Sequence, residues 1–449
     1  MSAAWTIFTV IYILAAGFLF THKLLPFLVT KAGRAMGFKM EMSPIWAKRI
    51  ARFKRIKRGY YAFRIITTLF VLSFFLELML NNRPIAIHYQ GKTAFPAVKE
   101  WLHSVLFFTD VTYFQKKSEW GQIGESEVDY RRFKRYSRDP DDYAADIAEM
   151  RKEIEGKPAP RKEDSYYQWE KYQKTKEKIE QHEALYETFK DGSAWCVMPL
   201  YPYSWSEHLL DLPDRPPTSP DWQHPLGTDD SGLDVLPQLA YGFRISLLFA
   251  LLVAAIGYSI GVIVGGVMGY YGGWTDILVQ RFIEIWSSVP FLFTIMIIAS
   301  IIQPQFLHLV ILLIILRGWI GITYTIRGEF YREKARDYVQ AAIAMGQGDW
   351  KVMTRHILPN ALVPIVTFAP FGIVAYIGSL VSLDYLGFGL PVGTPSWGGL
   401  LNQGMKHVLH YPHLILITAG SFSATLFCVV MIGEAVREAF DPKVFSRLR

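Results

Sequence analysis

The sequence predicts an all-α membrane protein with about seven transmembrane helices and a large external helical insert. Hydrophobic residues make up 51% of the 449 residues, yet 19% are charged, a mixture typical of spanning helices joined to polar segments. Seven apolar runs are candidates to cross a hydrocarbon core about 30 Å thick. They lie at Trp5–Phe20, Phe63–Leu80, Ile245–Tyr270, Ile283–Ile302, Phe306–Ile326, Ala361–Leu383 and Leu414–Ala435. A single soluble core explains this pattern less well.

Residues 1–40 are predicted to form an extra amino-terminal transmembrane anchor. The opening MSAAWTIF has no basic residue before the apolar run, and no cleavage site is evident. Because a signal peptide usually has both, we favour an uncleaved helix over a signal peptide. Residues 41–82 then supply a basic segment and the second span.

The distribution of Lys and Arg predicts which loops face the cytoplasm. Lys31–Tyr61 carries ten basic residues against Glu41 alone, and basic residues near the ends of spans stay on the cytoplasmic side. Counting spans from this segment places the amino terminus and residues 81–244 outside, and residues 327–360 and the carboxyl terminus inside. The net charge of +7 reflects this asymmetry, so we expect no nucleic-acid partner.

The external region, residues 83–240, contains an insert at residues 116–190 that is rich in charged, aromatic and helix-forming residues. Glu170 and Lys174 have the four-residue spacing that pairs side chains on a helix. The stretch GKPAPRK interrupts the insert, which predicts a helical hairpin. Two interpretations stay open: a solvated decoration, and a docking surface for a soluble partner. The proline-rich DLPDRPPTSPDWQHPLG then predicts an extended linker back to the membrane.

Residues 241–449 are the predicted core, with five spans. Its first span has glycine at every fourth position, at Gly257, Gly261, Gly265 and Gly269. This spacing leaves one helix face bare, so that another helix can approach closely in lipid. The neighbouring helix could belong to this chain or to a second one.

Three ionisable residues, Asp276, Arg281 and Glu284, accompany the next span. Arg281 and Glu284 share a helix face, and charged groups this close to hydrocarbon are usually paired. A structural ion pair is favoured over a substrate contact. Pro290 predicts a kink in the same span.

The stretch YVQAAIAMGQGDWKVMTRHILPNALVP, from Tyr338 to Pro364, lies on the predicted cytoplasmic side. Arg336–Met345 is predicted to form a short helix that Gly346 ends. The stretch GDWKVMTRHI is predicted to start a second helix, and Pro359 to stand near the entry to the sixth span. The small Ala341 and Ala342 suit insertion into a groove of another protein better than they suit catalysis. A purely structural loop is the competing interpretation.

The same stretch resembles the Glu-Ala-Ala loop of binding-protein-dependent ABC importer permeases. The matching positions are Gln340, Ala341, Ala342, Gly346, His356, Leu358 and Pro359. Gln340 and His356 depart from the general pattern, but RHILPNAL is similar to the dipeptide and oligopeptide branch. Further segments resemble that branch: HPLGTDDSGLDVLPQLAYGFRISL, GYYGGWTDILVQRFIEIW, SLDYLGFGLPVGTPSWGGLLNQG and GEAVREAFDPK. Leu233 stands where that branch usually has Arg.

The likeness to one subgroup of the branch extends over roughly Met42–Leu102 and Asp191–Lys443, and leaves out the first span and the insert. It implies a type I permease fold in a bacterial inner membrane and peptides or peptide-like compounds as substrates. It also implies three kinds of protein partner: a second homologous permease, ABC ATPase subunits and an extracytoplasmic binding protein. Residues 328–360 would be the coupling loop, with Tyr338 and the seven matching positions contacting the ATPase.

The chain lacks the G-x-x-x-x-G-K-[ST] motif, so we expect ATP and magnesium on the partner subunits and no cofactor or catalytic residue here. H-E-x-x-H and G-x-S-x-G are also missing, which disfavours a membrane-embedded hydrolase. His407, His410 and His413 lack an adjacent Cys or carboxylate, so no metal site is predicted. Cys196 and Cys428 lie in unlike regions, and no disulfide is predicted.

Two other functions stay open. An ion-coupled carrier would need a buried carboxylate in a span, for which Asp384 is the candidate, although its place near the outer end of its span favours a structural role. A membrane-bound interaction scaffold is supported by the helical insert alone.

Overall fold

The computed structural model describes residues 14–24, 26, 44–106, 128–154, 166–190, 193–210 and 212–440. Most of the predicted first span, the GKPAPRK break and the carboxyl-terminal residues 441–449 lie outside this part of the chain. Two units form: a membrane unit, which comprises Met1–Ser73 and His208–Arg449, and an insert unit, Phe74–Glu207.

The helices and strands follow in chain order after a π-helical turn at Phe20–Leu24. They are α1 (Pro44–Arg55), α2 (Lys57–Ser73), α3 (Leu76–Met79), β1 (Ala86–Tyr89), β2 (Lys92–Ala94), α4 (Pro96–Leu106), α5 (Tyr130–Arg138), α6 (Pro140–Ile154), α7 (Tyr166–Lys190), β3 (Trp195–Val197), α8 (Val235–Tyr271), α9 (Gly273–Ser287), α10 (Phe291–Ile301), α11 (Phe306–Leu313), α12 (Ile320–Lys334), α13 (Asp337–Ala344), α14 (Asp349–Lys351), α15 (Leu358–Ala361), α16 (Val363–Tyr385), α17 (Trp397–Lys406) and α18 (Pro412–Phe440). π-Helical turns at Ile314–Gly318 and Val352–Ile357 precede α12 and α15.

The membrane unit contains the apolar helices in which five core spans were predicted. Among the described residues, α8, α16 and α18 are long and apolar enough to cross a membrane. Two bent helix pairs add a span each if each pair crosses once: α9 with α10, bent by 65°, and α11 through α12, bent by 44°. Pro290 stands at the first bend, directly before α10. The predicted kink is therefore confirmed, and it follows from the missing N–H and the rigid ring of proline.

The second predicted span is shorter than the apolar run suggests. The helix α2 ends at Ser73 rather than near Leu80. The Ser73 hydroxyl donates a hydrogen bond to the Phe70 carbonyl at 2.7 Å, and Arg244 donates to the Ser73 carbonyl at 3.1 Å. These bonds satisfy groups that a helix end would otherwise leave without partners.

Asp384, near the end of α16, holds the loop between α16 and α17 through hydrogen bonds. One carboxylate oxygen accepts from the Leu390 amide at 2.7 Å, and the other accepts from the Ser396 hydroxyl at 2.6 Å. Ser396 in turn caps α17 by accepting from the Gly399 amide. Asp384 thus holds a loop to a helix end, which agrees with the structural role favoured from the sequence.

The insert unit has a sheet that the sequence analysis did not predict. Its three antiparallel strands have the order β2-β1-β3, with Ile87 opposite Ala94 and Cys196. Strands of three or four residues are too short to show a clear alternation of apolar and polar residues. Their pairing depends on β3, which lies more than 100 residues away from β1 along the chain.

Aromatic residues give the insert unit a core of its own. Tyr89 of β1 packs against Phe133 and Phe189, with ring centroids 5.8 and 5.6 Å away, and the stacked pair Tyr136 and Tyr143 adds a centroid distance of 4.0 Å. The helices α6 and α7 lie side by side, as a hairpin requires: Tyr143 and His182 share a hydrogen bond, and Arg151 pairs with Glu183. These contacts explain why a charged segment carries so many Tyr and Phe residues.

Candidate functional site

The predicted coupling stretch begins with one short helix, α13, that has a defined end. The helix α13 starts after Arg336, and Asp337 in its first turn suits the helix dipole. At the other end, the Gly346 amide donates to the Ile343 carbonyl at 2.9 Å and the Gln347 amide donates to the Ala342 carbonyl at 3.2 Å. This is a Schellman motif, and Gly346 has the positive φ of +76° that the motif requires. The predicted helix end at Gly346 is confirmed.

The two alanines of α13 face different ways. Ala342 is only 1% exposed and, like Val339, points into the chain's own core, whereas Ala341 is exposed. Val339 belongs to a buried cluster that also contains Phe330 of α12 and Ile357 of the following π-helical turn. Ala342 therefore serves the packing of this chain, and of the two alanines only Ala341 faces outward.

Tyr338 ties three segments together through its hydroxyl group. The hydroxyl donates to the buried carboxylate of Glu333 in α12 at 2.7 Å and accepts from the Asn360 amide group in α15 at 2.9 Å. It also lies 3.4 Å from the His356 carbonyl oxygen. Tyr338 thus fixes α13 between the end of α12 and the start of the next span.

The other matching positions lie in the same element. Gln340 donates to the Lys334 carbonyl at 2.7 Å, and the His356 ring shares a hydrogen bond of 2.8 Å with Gln347. Leu358 and Pro359 begin α15, where proline is tolerated because the first turn of a helix has unpaired N–H groups. The structure therefore brings the eight predicted coupling residues into one folded element, here called the coupling element (residues 336–361).

Exposed apolar side chains on this element were missed in the sequence analysis. Ile343 is 36% exposed, Met345 72% and Trp350 73%. Tyr338, Ala341 and Met345 have the spacing of one helix face, so α13 presents an apolar outward surface. The signal was present in the sequence, because three large apolar residues in a polar loop are unusual on a surface without a partner.

The coupling element is joined to two spans. The Tyr270 hydroxyl at the end of α8 donates to Asp349 at 2.7 Å, and the Lys334 ammonium group of α12 donates to the Tyr270 carbonyl. Tyr270 also belongs to the buried cluster of Phe330 and Ile357. A displacement of α13 would therefore be transmitted to both α8 and α12.

The four predicted packing glycines lie against α12 and the turn before it. A Cβ atom on Gly257 would lie 2.6 Å from the Gly318 carbonyl oxygen, and one on Gly269 would lie 2.6 Å from the Arg327 carbonyl oxygen. Gly261 and Gly265 face the segment around Thr323 in the same way. In the structure, the helix that lies against this glycine face is α12 of the same chain.

The charged residues near the α8–α9 turn are paired. Arg281 donates to Glu284 at 2.6 Å, as their shared helix face predicted. Asp276 accepts from the Arg327 guanidinium group and, at 2.7 Å, from the Tyr331 hydroxyl. The Asp276–Arg327 pair links α9 to α12, and sequence spacing alone could not have indicated it.

The segment before α8, one of those that resemble the peptide branch, forms a buried polar network. His224 and Asp234 share a hydrogen bond of 2.6 Å, and Asp234 also caps α8 through the Leu236 amide. Asp229 accepts from the Ser231 and Leu233 amides and from Gln238. Burial raises the pKa of Asp229, although these donors act in the opposite direction. Leu233, the departure from the branch, contributes its backbone to this turn.

Two of the three histidines considered for a metal site have a carboxylate or an aromatic ring as neighbour. His407 lies 3.9 Å from an Asp230 oxygen, and the His413 ring lies edge-on to Tyr411. Within the described ranges, no group of three or more His, Cys, Asp or Glu side chains is placed to hold a metal ion.

Comparisons with known proteins agree with this architecture. The family described as binding-protein-dependent transport system inner membrane component matches residues 257–446. The peptidoglycan transport system permease protein YejE of Agrobacterium fabrum is 33% identical over 425 residues, covering 89% of this chain and 94% of the relative. The inner membrane ABC transporter permease protein YejE of Escherichia coli is 34% identical over 401 residues, covering 89% of this chain and 98% of the relative.

A third relative matches a smaller share of the chain. The oligopeptide transport system permease protein OppC of Haemophilus influenzae is 35% identical over 244 residues, which cover 54% of this chain and 78% of the relative. Three observations support the same assignment: the match to the family over residues 257–446, the coverage of the first two relatives, and the apolar helices described above. The chain therefore belongs to the binding-protein-dependent inner membrane components, the permease subunits of ABC importers.

Proposed function

We propose that this chain forms one side of the passage of a peptide importer in the bacterial inner membrane. A second, homologous permease forms the other side, ABC ATPase subunits bind the coupling element, and an extracytoplasmic binding protein delivers the substrate. The proposed substrates are peptides or peptide-like compounds. The names of the relatives support this class, since they refer to peptidoglycan and oligopeptide transport.

The coupling element carries the proposal. Its first helix, α13, has an apolar outward surface, and hydrogen bonds and a shared buried cluster join the element to α8 and α12. ATP and magnesium would be held by the ATPase subunits, because this chain lacks the phosphate-binding motif. Closure of those subunits on ATP would move α13 as a rigid body, and the attached spans would follow.

The proposed orientation places the coupling element and the carboxyl terminus in the cytoplasm and the insert unit outside. Its support is the basic segment before α2, where α1 and the start of α2 carry many Lys and Arg residues and no acidic one. We also propose that the insert unit contacts the binding protein or the second permease.

Ala341→Trp tests the role of the coupling element. Ala341 is exposed and Ala342 is buried, so bulk at Ala341 should block docking without disturbing the core of this chain. In the reconstituted complex, we expect uptake of a labelled peptide and its coupled ATP hydrolysis to fall about tenfold or more, the usual effect of removing a central contact of an interface. The second permease should still copurify.

The matched control is Ala51→Trp, which places the same side chain at an exposed alanine of α1. This variant should transport at the wild-type rate. Normal uptake by Ala341→Trp would exclude α13 as the ATPase-docking site. Equal losses in both variants would show that the added tryptophan acts through general damage.

A further inference from the structure

A cavity of about 890 Å³ opens within the membrane unit. Aromatic side chains form much of its wall: Tyr258, Phe291, Phe368, Phe371 and Tyr376. Its volume lies within the range of roughly 300–1,000 Å³ that small-molecule sites occupy. The described residues that line it include no Asp or Glu.

Arg317 is the charged residue in this wall. It stands near the middle of the apolar run Phe306–Ile326, and its guanidinium carbon lies 5.8 Å from the centroid of the Phe291 ring. Among the described residues, no carboxylate forms an ion pair with it. A charge at this depth is costly, so charged residues in spans usually mark a pathway or a binding site.

The backbone around Arg317 forms a π-helical turn that side chains from other helices stabilise. Arg317 belongs to the π-helical turn Ile314–Gly318, at the 44° bend between α11 and α12. A π-helical turn leaves carbonyl groups without their usual partners, and here Tyr376 donates to the Gly318 carbonyl at 2.9 Å while Trp286 donates to the Ile315 carbonyl at 3.1 Å. Side chains from two other helices thus stabilise a turn of a kind that is frequent at functional sites.

The serine and threonine hydroxyl groups of the cavity bind their own helices. Ser379 donates to the Ala375 carbonyl, Thr325 to the Gly321 carbonyl and Ser287 to the Glu284 carbonyl. The Tyr376 hydroxyl is bound to the Gly318 carbonyl, so among the described lining residues Arg317 is the charged donor whose N–H groups remain available to a ligand. A planar guanidinium group matches a carboxylate, which it can bind through two parallel hydrogen bonds.

We propose that Arg317 binds a carboxylate of the peptide during its passage through the cavity. This inference rests on the proposed function as a peptide importer. Every linear peptide with a free carboxyl terminus carries such a group whatever its side chains, while the aromatic wall accepts side chains of many shapes. One arginine on an otherwise uncharged wall holds the peptide only transiently, as a passage requires.

The test compares tetra-alanine with tetra-alanine amide, both radiolabelled, in proteoliposomes that contain the whole importer. The binding protein is saturated with each peptide, so that its own affinity does not determine the initial rate of uptake. The variants are Arg317→Gln and Arg317→Lys, with Ser300→Ala as a control, because Ser300 lies outside the cavity and its hydroxyl donates to the Ile297 carbonyl of its own helix. Copurification of the second permease is measured for each variant.

We expect Arg317→Gln to lower the uptake rate of the free acid by about tenfold or more, as the loss of a charged hydrogen bond would, and to leave the rate of the amide nearly unchanged. Arg317→Lys, which keeps the charge, should lie between wild type and Arg317→Gln, and Ser300→Ala should resemble wild type.

Two results would overturn the inference while leaving peptide import intact: unchanged uptake of the acid by Arg317→Gln, or equal losses for acid and amide. Loss of the second permease from purified Arg317→Gln would also overturn it, because Arg317 would then pair with that subunit. If the wild-type importer moved neither peptide, the proposed function itself would fail.

Discussion

Cys196 shows how the insert unit constrains a single side chain. It lies in β3 opposite Ile87 and packs against the aromatic core. Burial raises the pKa of the Cys196 thiol from 9.0 to about 12, although the charge of Lys134 acts against this. The folded unit therefore retains a proton that the unfolded chain loses, so its stability should decrease as the pH rises from about 9 towards 12.

We predict that Cys196 reacts slowly with iodoacetamide. Because the thiolate is the reactive form, alkylation at about pH 8 should be at least about tenfold slower in the native complex than in denaturant. Mass spectrometry of the Cys196 peptide measures both rates, and Cys196→Ser identifies the signal. Equal rates would show that the thiol is not held in the protonated form.

Single residues also mark the limit of prediction from the sequence. The glycine register of α8 predicted a close helix contact, because spacing determines which residues share a face. It could not identify α12 as the neighbour. Likewise, the outward position of Ala341 and the buried position of Ala342 depend on Val339, Phe330 and Ile357 meeting in space. The sequence analysis did not identify Arg317 as a binding residue, because the cavity around it is formed by helices that lie far from it in sequence.

At the scale of an element, the shape of the coupling element depends on the backbone of Gly346. Gly346 has a φ of +76°, whereas Gly348 has a φ of −63°, and a Cβ atom at either position would meet no atom within 4 Å. The two glycines therefore differ in conformation and not in available space.

We expect Gly346→Ala to weaken the coupling element by about 1–2 kcal/mol, the cost of a left-handed conformation for a residue with a Cβ atom. Hydrogen exchange of the peptide that spans α13 should increase in the assembled importer, and ATP hydrolysis should become less dependent on substrate. Gly348→Ala is the matched control and should show neither change. Similar exchange in both variants would contradict a role for the left-handed turn.

Local signals explain why the end of α13 and the bend before α10 could be predicted from the sequence. Gly346 ends α13, and Pro290 bends a span, through properties of one residue and its immediate neighbours. The sheet of the insert unit was missed because β1 and β3 pair across a long stretch of chain. For the same reason, the sequence showed that Arg281 and Glu284 pair but not that Asp276 pairs with Arg327.

At the scale of the whole molecule, the proposed orientation predicts which segments a protease can reach. The insert unit has exposed basic residues on α7, including Lys176 and Lys190. Trypsin added to intact spheroplasts should cut within residues 166–190 and leave a carboxyl-terminal tag uncut. In inverted vesicles, the tag should be removed while the insert is protected. The opposite pattern would reverse the proposed orientation.

The same digestion tests the proposed contact of the insert unit. If α7 meets the binding protein, saturating binding protein should slow cleavage at Lys176 and Lys190, whereas serum albumin should not. If α7 meets the second permease, cleavage should be faster when this chain is expressed alone. If neither condition changes the cleavage rate, α7 contacts neither protein and the insert is a solvated decoration.

The close packing of the α8 glycines also limits which substitutions this chain can tolerate during evolution. At Gly257, the three nearest atoms to an added Cβ are all backbone atoms of Gly318, so no exchange at position 318 can make room. At Gly266, the nearest atoms belong to the ring of Phe330, so a larger residue there could be accommodated by a smaller one at position 330. Among related permeases, position 257 should therefore be invariant, while positions 266 and 330 should vary together.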